Sequence, residues 1–346
     1  MTESTSAPCS VVLTGQLRDP ERLLASVRDW RRMGAEGLID RIIVVTWREE
    51  ADESPELCDQ LQGLGAELIA LPTPPIRGIG HVWPQTLALV RGLDALANEN
   101  GWVLKTRADL SIDAGLLRSL LTSPGYLDPA PMASPFSARI WAPWFELTKP
   151  FYVADECFLG RAGDLRQLCN FDESYSLLWD IGCGVTHIRR FIHPFRAVTS
   201  LFEPFLERFT EAGHFRNDRG LTLNRLLGDD DFLTVLAAYY SVLATHFRIA
   251  SPDGAVSFRA WSSGVTQPEI GPMSDAFASR YDVMSGGGHI FAHSETWLRA
   301  ALTGGLGGEL AERFSRACER VERSGLTLGL PTSELQLTRC HEASVD

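Results

Sequence analysis

Within the first 121 residues, four short apolar runs rich in β-branched residues alternate with three segments of helical spacing. Few folds accommodate that pattern. Ser10 to Thr14 is short enough to be a buried strand and stops at Gly15. Asp19-Pro20 then opens a helix, with the aspartate as cap and proline in the first turn, and Leu23, Leu24, Val27, Trp30 and Met33 follow at helical spacing. Arg41 to Trp47 is nearly all apolar, as expected of a parallel strand covered on both faces. Ser54-Pro55 starts a second helix, and residues 67–71 form a third strand. Pro72 to Gly80 is a loop, and a third helix begins near Pro84 with Leu87, Val90, Leu93 and Leu96 inward. Residues 102–106 are the fourth strand. Strand–helix–strand units in series predict an α/β fold with a mostly parallel, Rossmann-like sheet flanked by helices.

Ligands of such sheets bind beyond the carboxyl ends of the strands. The segments to watch are therefore Thr14 to Arg18, Trp47 to Glu49, Arg77 to Gly80 and Arg107 to Asp109. The first carries neither a G-x-G-x-x-G fingerprint nor a P-loop. A formal charge of −12 disfavours nucleic acid and anionic lipid surfaces as partners. No apolar run reaches the roughly 18 residues of a membrane span. The polar N-terminus and seven scattered cysteines are expected of a cytoplasmic chain with reduced thiols.

Lys105, Arg107 and Asp109 close the fourth apolar run, and alternation along a strand puts the three on one face. Charges there are costly unless paired or bound to a ligand. Two readings follow: an internal Arg–Asp salt bridge, or an anion site in which Arg107 and Lys105 meet phosphate oxygens while Asp109 holds a divalent cation or a sugar hydroxyl.

These residues also carry a resemblance. Thr14-Gly15-Gln16, Val45-Thr46-Trp47, Gln85 with Gly92-Leu93, and Leu104 to Leu110 occur in the order found in the WavE-type lipopolysaccharide-synthesis family. Phe151 to Gly160 resembles its aromatic-Asp-aromatic-Gly segment, and Glu203-Pro204-Phe205 a later glutamate-containing helix. The resemblance covers residues 10–210. It implies a glycosyltransferase of the nucleotide-sugar-binding GT-A fold, one continuous domain with a donor-binding half over residues 10–121 and an acceptor-side half, helical towards its end, over 122–346. It implies donor contacts at Thr14, Gly15, Gln16, Arg18, Trp47, Gln85, Lys105, Arg107 and Asp109. Asp155, Glu156 or Glu203 would take the acceptor's proton. Two departures stand out. His81-Val82-Trp83-Pro84 replaces an Asn/Arg-rich stretch before the glutamine, and the Asp-x-Asp metal motif of GT-A enzymes is here Arg107-x-Asp109. Either Asp109, with a late histidine such as His289 and the donor diphosphate, holds Mg²⁺ or Mn²⁺, or Arg107 replaces the metal charge.

Beyond residue 122, Trp141, Trp144, Phe145, Phe151 and Tyr152 crowd one stretch and suit either a sugar-stacking surface or core. Asp231 is expected to cap a helix containing Phe232, Val235, Leu236, Tyr239 and Leu243, and another helix is expected over residues 309–324. The function expected is sugar transfer from a nucleoside-diphosphate donor to a saccharide or small-molecule acceptor. The alternatives are a catalytically degenerate nucleotide-sugar-binding protein and a nucleotidyltransferase on a related sheet. The latter predicts a basic glycine-rich loop after the first strand, which this sequence lacks.

Overall fold

The computed structural model describes residues 8–74, 82–122, 134–147, 150–151, 156–169, 194, 227–249, 256–258, 291–292 and 294–324. The chain begins with β1 (Cys9–Thr14), α1 (Pro20–Ala35), β2 (Ile39–Trp47), α2 (Arg48–Glu53), α3 (Pro55–Gly63), β3 (Glu67–Leu71), α4 (Val82–Asp94) and β4 (Trp102–Arg107). It continues with β5 (Leu110–Ile112), α5 (Ala114–Thr122), β6 (Ile140–Ala142), β7 (Phe145–Glu146), β8 (Phe158–Arg161) and α6 (Ala162–Cys169). The remaining elements are α7 (Asp230–His246), β9 (Phe247–Ile249), β10 (Val256–Phe258), β11 (Phe291–Ala292), α8 (Glu295–Leu302) and α9 (Glu309–Arg323).

Seven strands pair in the order β3-β2-β1-β4-β8-β6-β9. The first four are parallel, β8 runs against both β4 and β6, and β9 is parallel to β6. The expected mostly parallel α/β sheet is thus present, and it crosses the 121/122 boundary, since β6, β8 and β9 extend the sheet that β1–β4 begin. β5 pairs with β10 and β7 with β11 in two small antiparallel ribbons.

Strands β1, β2 and β4 are buried almost end to end because helices cover both faces. Val12, Val45 and Val103 face α4, while Val11, Val44 and Leu104 belong to the core on the side of α1. Helix α1 starts as expected: Asp19 Oδ1 accepts from the Arg22 amide and Pro20 occupies the first turn. At α7 the cap is Asp229, not Asp231. The Asp229 carboxylate accepts from the amides of Asp231 and Phe232 at 2.9 and 3.2 Å, which only the residue before the first turn can do. The body of α7 is buried all round, and Tyr239 and Tyr240 donate to the carbonyls of Glu146 and Leu147. No helix among the described residues is long and apolar enough to cross a membrane.

Helix α7 ends in His246, whose Nδ1 lies 2.8 Å from Ser134 Oγ in a nearly closed site. Burial, then the neighbouring Arg139 charge, lowers its pKa to about 4. The unfolded chain binds a proton near pH 6.5 that the folded chain refuses, so stability falls as pH drops through 6.5 towards 4. By pH 5 this group alone costs roughly 2 kcal/mol. His246→Gln keeps a polar partner for Ser134 and is expected to flatten the loss of stability between pH 7 and 5 by about that amount. Denaturant melts at the two pH values measure it, and an unchanged slope would contradict the assignment.

Candidate functional site

The chain leaves β1 for β2 on one side and later returns to β4 on the other, so β1 and β4 form the point where the strand order reverses. Crevices open at the carboxyl end of such a point. A cleft of about 540 Å³ lies there. Gly15, Gln16 and Arg18 supply it from the segment after β1, Trp47 and three glutamates from the end of β2 and from α2, and Thr73 and Pro74 from beyond β3. Pro84 and Gln85 of α4 and the pair Arg107 and Asp109 complete the wall.

The backbone around the reversal is tied on both sides. The Gly15 amide donates to Val45 O of β2 at 3.2 Å, and the Ala108 amide donates to Thr14 O at 3.1 Å. Gly15 has φ +111°, in the region that disfavours a side chain, so glycine lets the chain turn sharply from β1 into the cleft. Thr14 does not line the cleft but holds its wall: Oγ1 is 3.0 Å from Gln85 Oε1 and 3.3 Å from Thr106 O. That bond joins β1 to the first turn of α4.

Arg107 and Asp109 realise the salt-bridge reading of their motif. Nε and Nη2 of the guanidinium donate to the two carboxylate oxygens at 2.9 and 2.8 Å. The side chains keep 22% and 16% of their surface exposed and both line the cleft, so the pair is closed on itself without being sealed from a ligand. Asp109 is not a strand residue: β4 stops at Arg107, and a two-residue turn brings the carboxylate back over the guanidinium.

Lys105 shares the Arg107 face of β4 but is only 1% exposed and does not line the cleft. Its Nζ donates to the Glu156 carbonyl at 3.3 Å. The expected phosphate contact of Lys105 therefore does not fit its position; the ammonium points under the sheet's neighbouring segment instead of into the crevice. Glu156 is half-buried just before β8. Asp155, Glu203 and His289 lie outside the described residues, as do Tyr152 and the segment 75–81. Of the aromatic crowd, Trp141, Trp144, Phe145 and Phe151 are buried core.

The sequence reading missed the acidic wall. Helix α2 leaves no helical signal in the sequence, because it has no apolar stripe and buries none of its residues. Its Glu49, Glu50 and Glu53 face the cleft, where spacing i, i+1, i+4 after a buried strand was the available signal. Glu50 accepts from Gln16 Nε2 at 2.7 Å. Glu49 accepts from the Thr73 hydroxyl, which holds its carboxyl below the usual range. The cleft is thus bipolar: Arg18 and Arg107 stand at the β1/β4 end, the glutamates at the β2/β3 end.

Among the described residues, no group of three or more His, Cys, Asp or Glu side chains could hold a metal ion. Both oxygens of Asp109 are engaged by Arg107. The protein groups seen here do not by themselves form a cation cage. No protein-family model matches the chain, and no curated protein matches it significantly.

Proposed function

We propose that the chain is a nucleotide-sugar-dependent glycosyltransferase whose donor occupies the cleft at the β1/β4 reversal. The observation that carries this reading is the guanidinium of Arg107 at the carboxyl end of β4, partly exposed in a crevice placed where α/β sheets bind phosphorylated ligands. The mixed sheet, parallel through β4 and reversed at β8, supports a GT-A-like form of the fold. The WavE-like order of motifs from Thr14 to Glu203 supports the sugar-transfer chemistry and the donor and acceptor halves.

In the reaction, an acceptor hydroxyl attacks the anomeric carbon, the bond from that carbon to the diphosphate breaks, and the diphosphate leaves with the electron pair. Arg107 and Arg18 stabilise that developing charge, Arg107 by exchanging the Asp109 carboxylate for phosphate oxygens. A carboxylate of the 155–156 segment accepts the acceptor's proton. The glutamate wall, repulsive to phosphate, leaves the β2/β3 end for the uncharged, hydroxyl-bearing nucleoside. Mg²⁺ or Mn²⁺ enters this reading as a companion of the donor's own diphosphate, with Asp109 as its protein ligand; when bound it would neutralise phosphate charge.

Isothermal calorimetry with a panel of nucleoside-diphosphate sugars, with and without Mn²⁺, tests the proposal when combined with an assay for donor hydrolysis. Binding with slow hydrolysis is expected. Binding without turnover over a broad acceptor panel would favour the degenerate binding protein, a reading the closed Arg107–Asp109 pair also accommodates. No binding by any donor would end both.

A further inference from the structure

Lysine occurs only at positions 105 and 149, and Lys105 sits inside β4 with its side chain almost wholly buried. A buried ammonium is costly unless acceptors replace its water. The acceptor seen at 3.3 Å is the Glu156 carbonyl, on the segment that leads into β8. β4 and β8 are antiparallel, with Val103 opposite Gly160 and Lys105 opposite Phe158. The ladder ends there: Arg107 lies two residues beyond it on β4, and Glu156 two residues before Phe158. Lys105 therefore ties β4, two residues before the Arg107 guanidinium, to the segment that carries the half-buried Glu156 side chain. Cys157 joins the same cluster: burial pushes its thiol up to about 12, with Lys105 drawing it down and Glu156 raising it.

We infer that Lys105 is a positioning residue, whose ammonium pins the 156–157 backbone to β4 and so fixes where the Glu156 side chain stands relative to the strand that carries Arg107. The inference rests on the transferase reading and deepens it: the lysine at the strand end serves the acceptor half, not the donor phosphates. Its compact ammonium, with three rotatable donors on a flexible stem, suits a backbone acceptor in a space closed to solvent.

The test is Lys105→Met, which keeps length and apolar stem and removes the donor. Calorimetry measures the affinity for the nucleoside diphosphate of the best donor, and steady-state kinetics measures kcat and KM for transfer. The expected result is a kcat lowered at least about tenfold with nucleotide affinity within about twofold of wild type, the size of losing one charge-assisted hydrogen bond that orients the segment. An affinity that falls in step with kcat would return Lys105 to the phosphates and overturn the inference. Unchanged kcat and affinity would overturn it as well. Should the variant not fold, Glu156→Gln decides: kcat must drop at unchanged affinity, and wild-type kcat would sink the proposal. Failure of the underlying reading is distinguishable, because it shows in the wild-type protein as absent nucleotide binding or turnover.

Discussion

Arg107→Met is expected to weaken nucleoside-diphosphate binding by at least about 100-fold while leaving the fold intact. The guanidinium offers Nε and Nη2 as a planar fork, at present filled by Asp109. A diphosphate offers the same fork a matching pair of oxygens with greater charge. Hydrogen bonds to charged groups contribute about 1.5–3 kcal/mol each, so losing two of them reaches the hundredfold range. The loss is compounded because Asp109, left without its partner, would face the incoming phosphate with a bare charge. Asp109→Asn acts differently. An amide presents one acceptor where the carboxylate presents two, so the guanidinium loses its fixed orientation. Turnover is expected to vanish with melting behaviour unchanged. Calorimetry and thermal melts on the two variants check this, and full activity of Asp109→Asn would remove the residue from the site.

Gly92→Ala is expected to destabilise the protein by about 2–3 kcal/mol, the cost of overpacking a tight core. Helix propensity alone predicts the opposite sign, since alanine exceeds glycine by about 1 kcal/mol in a helix interior. The decisive fact is distance. A Cβ on Gly92 would stand 2.4 Å from Val12 Cγ1 and 3.2 Å from Val45 Cγ2. Both valines are fully buried in β1 and β2, and branched side chains there cannot rotate away. Helix α4 would have to lift from the sheet. Its first turn carries Gln85, whose amide meets Thr14 and lines the cleft, so the same substitution is expected to weaken nucleotide binding as well. Denaturant melts and calorimetry on one preparation measure both effects. An alanine variant as stable as wild type would show that α4 is not seated on β1 as described.

The first 121 residues of the fold were legible because their signals are local. β-branched runs, an Asp-Pro helix start and helical spacing each act within a dozen residues, and β1 through β4 lie where those signals put them. Helix α2 was not legible, because a six-residue helix with no buried side chain has no apolar period to read. The reversed direction of β8 depends on pairing with β4, more than fifty positions away in sequence, which no local pattern reports. Alternation placed Lys105 and Arg107 on one face but is silent about depth: two residues along the same strand separate a side chain in the crevice from one buried in the sheet. For Asp109 the strand period was carried past the strand's end, and the turn after Arg107 replaced it. At Asp229 to Asp231 three carboxylates compete for one cap, and only geometry chooses among them.

The most direct measurement is a crystal structure of the protein soaked with the nucleoside diphosphate of its best-binding donor. The diphosphate is expected at the ends of β1 and β4, its oxygens within hydrogen-bond distance of Arg107 Nε and Nη2, with Asp109 turned away from the guanidinium. A nucleotide bound elsewhere, with Arg107 and Asp109 still locked in their bidentate pair, would contradict it.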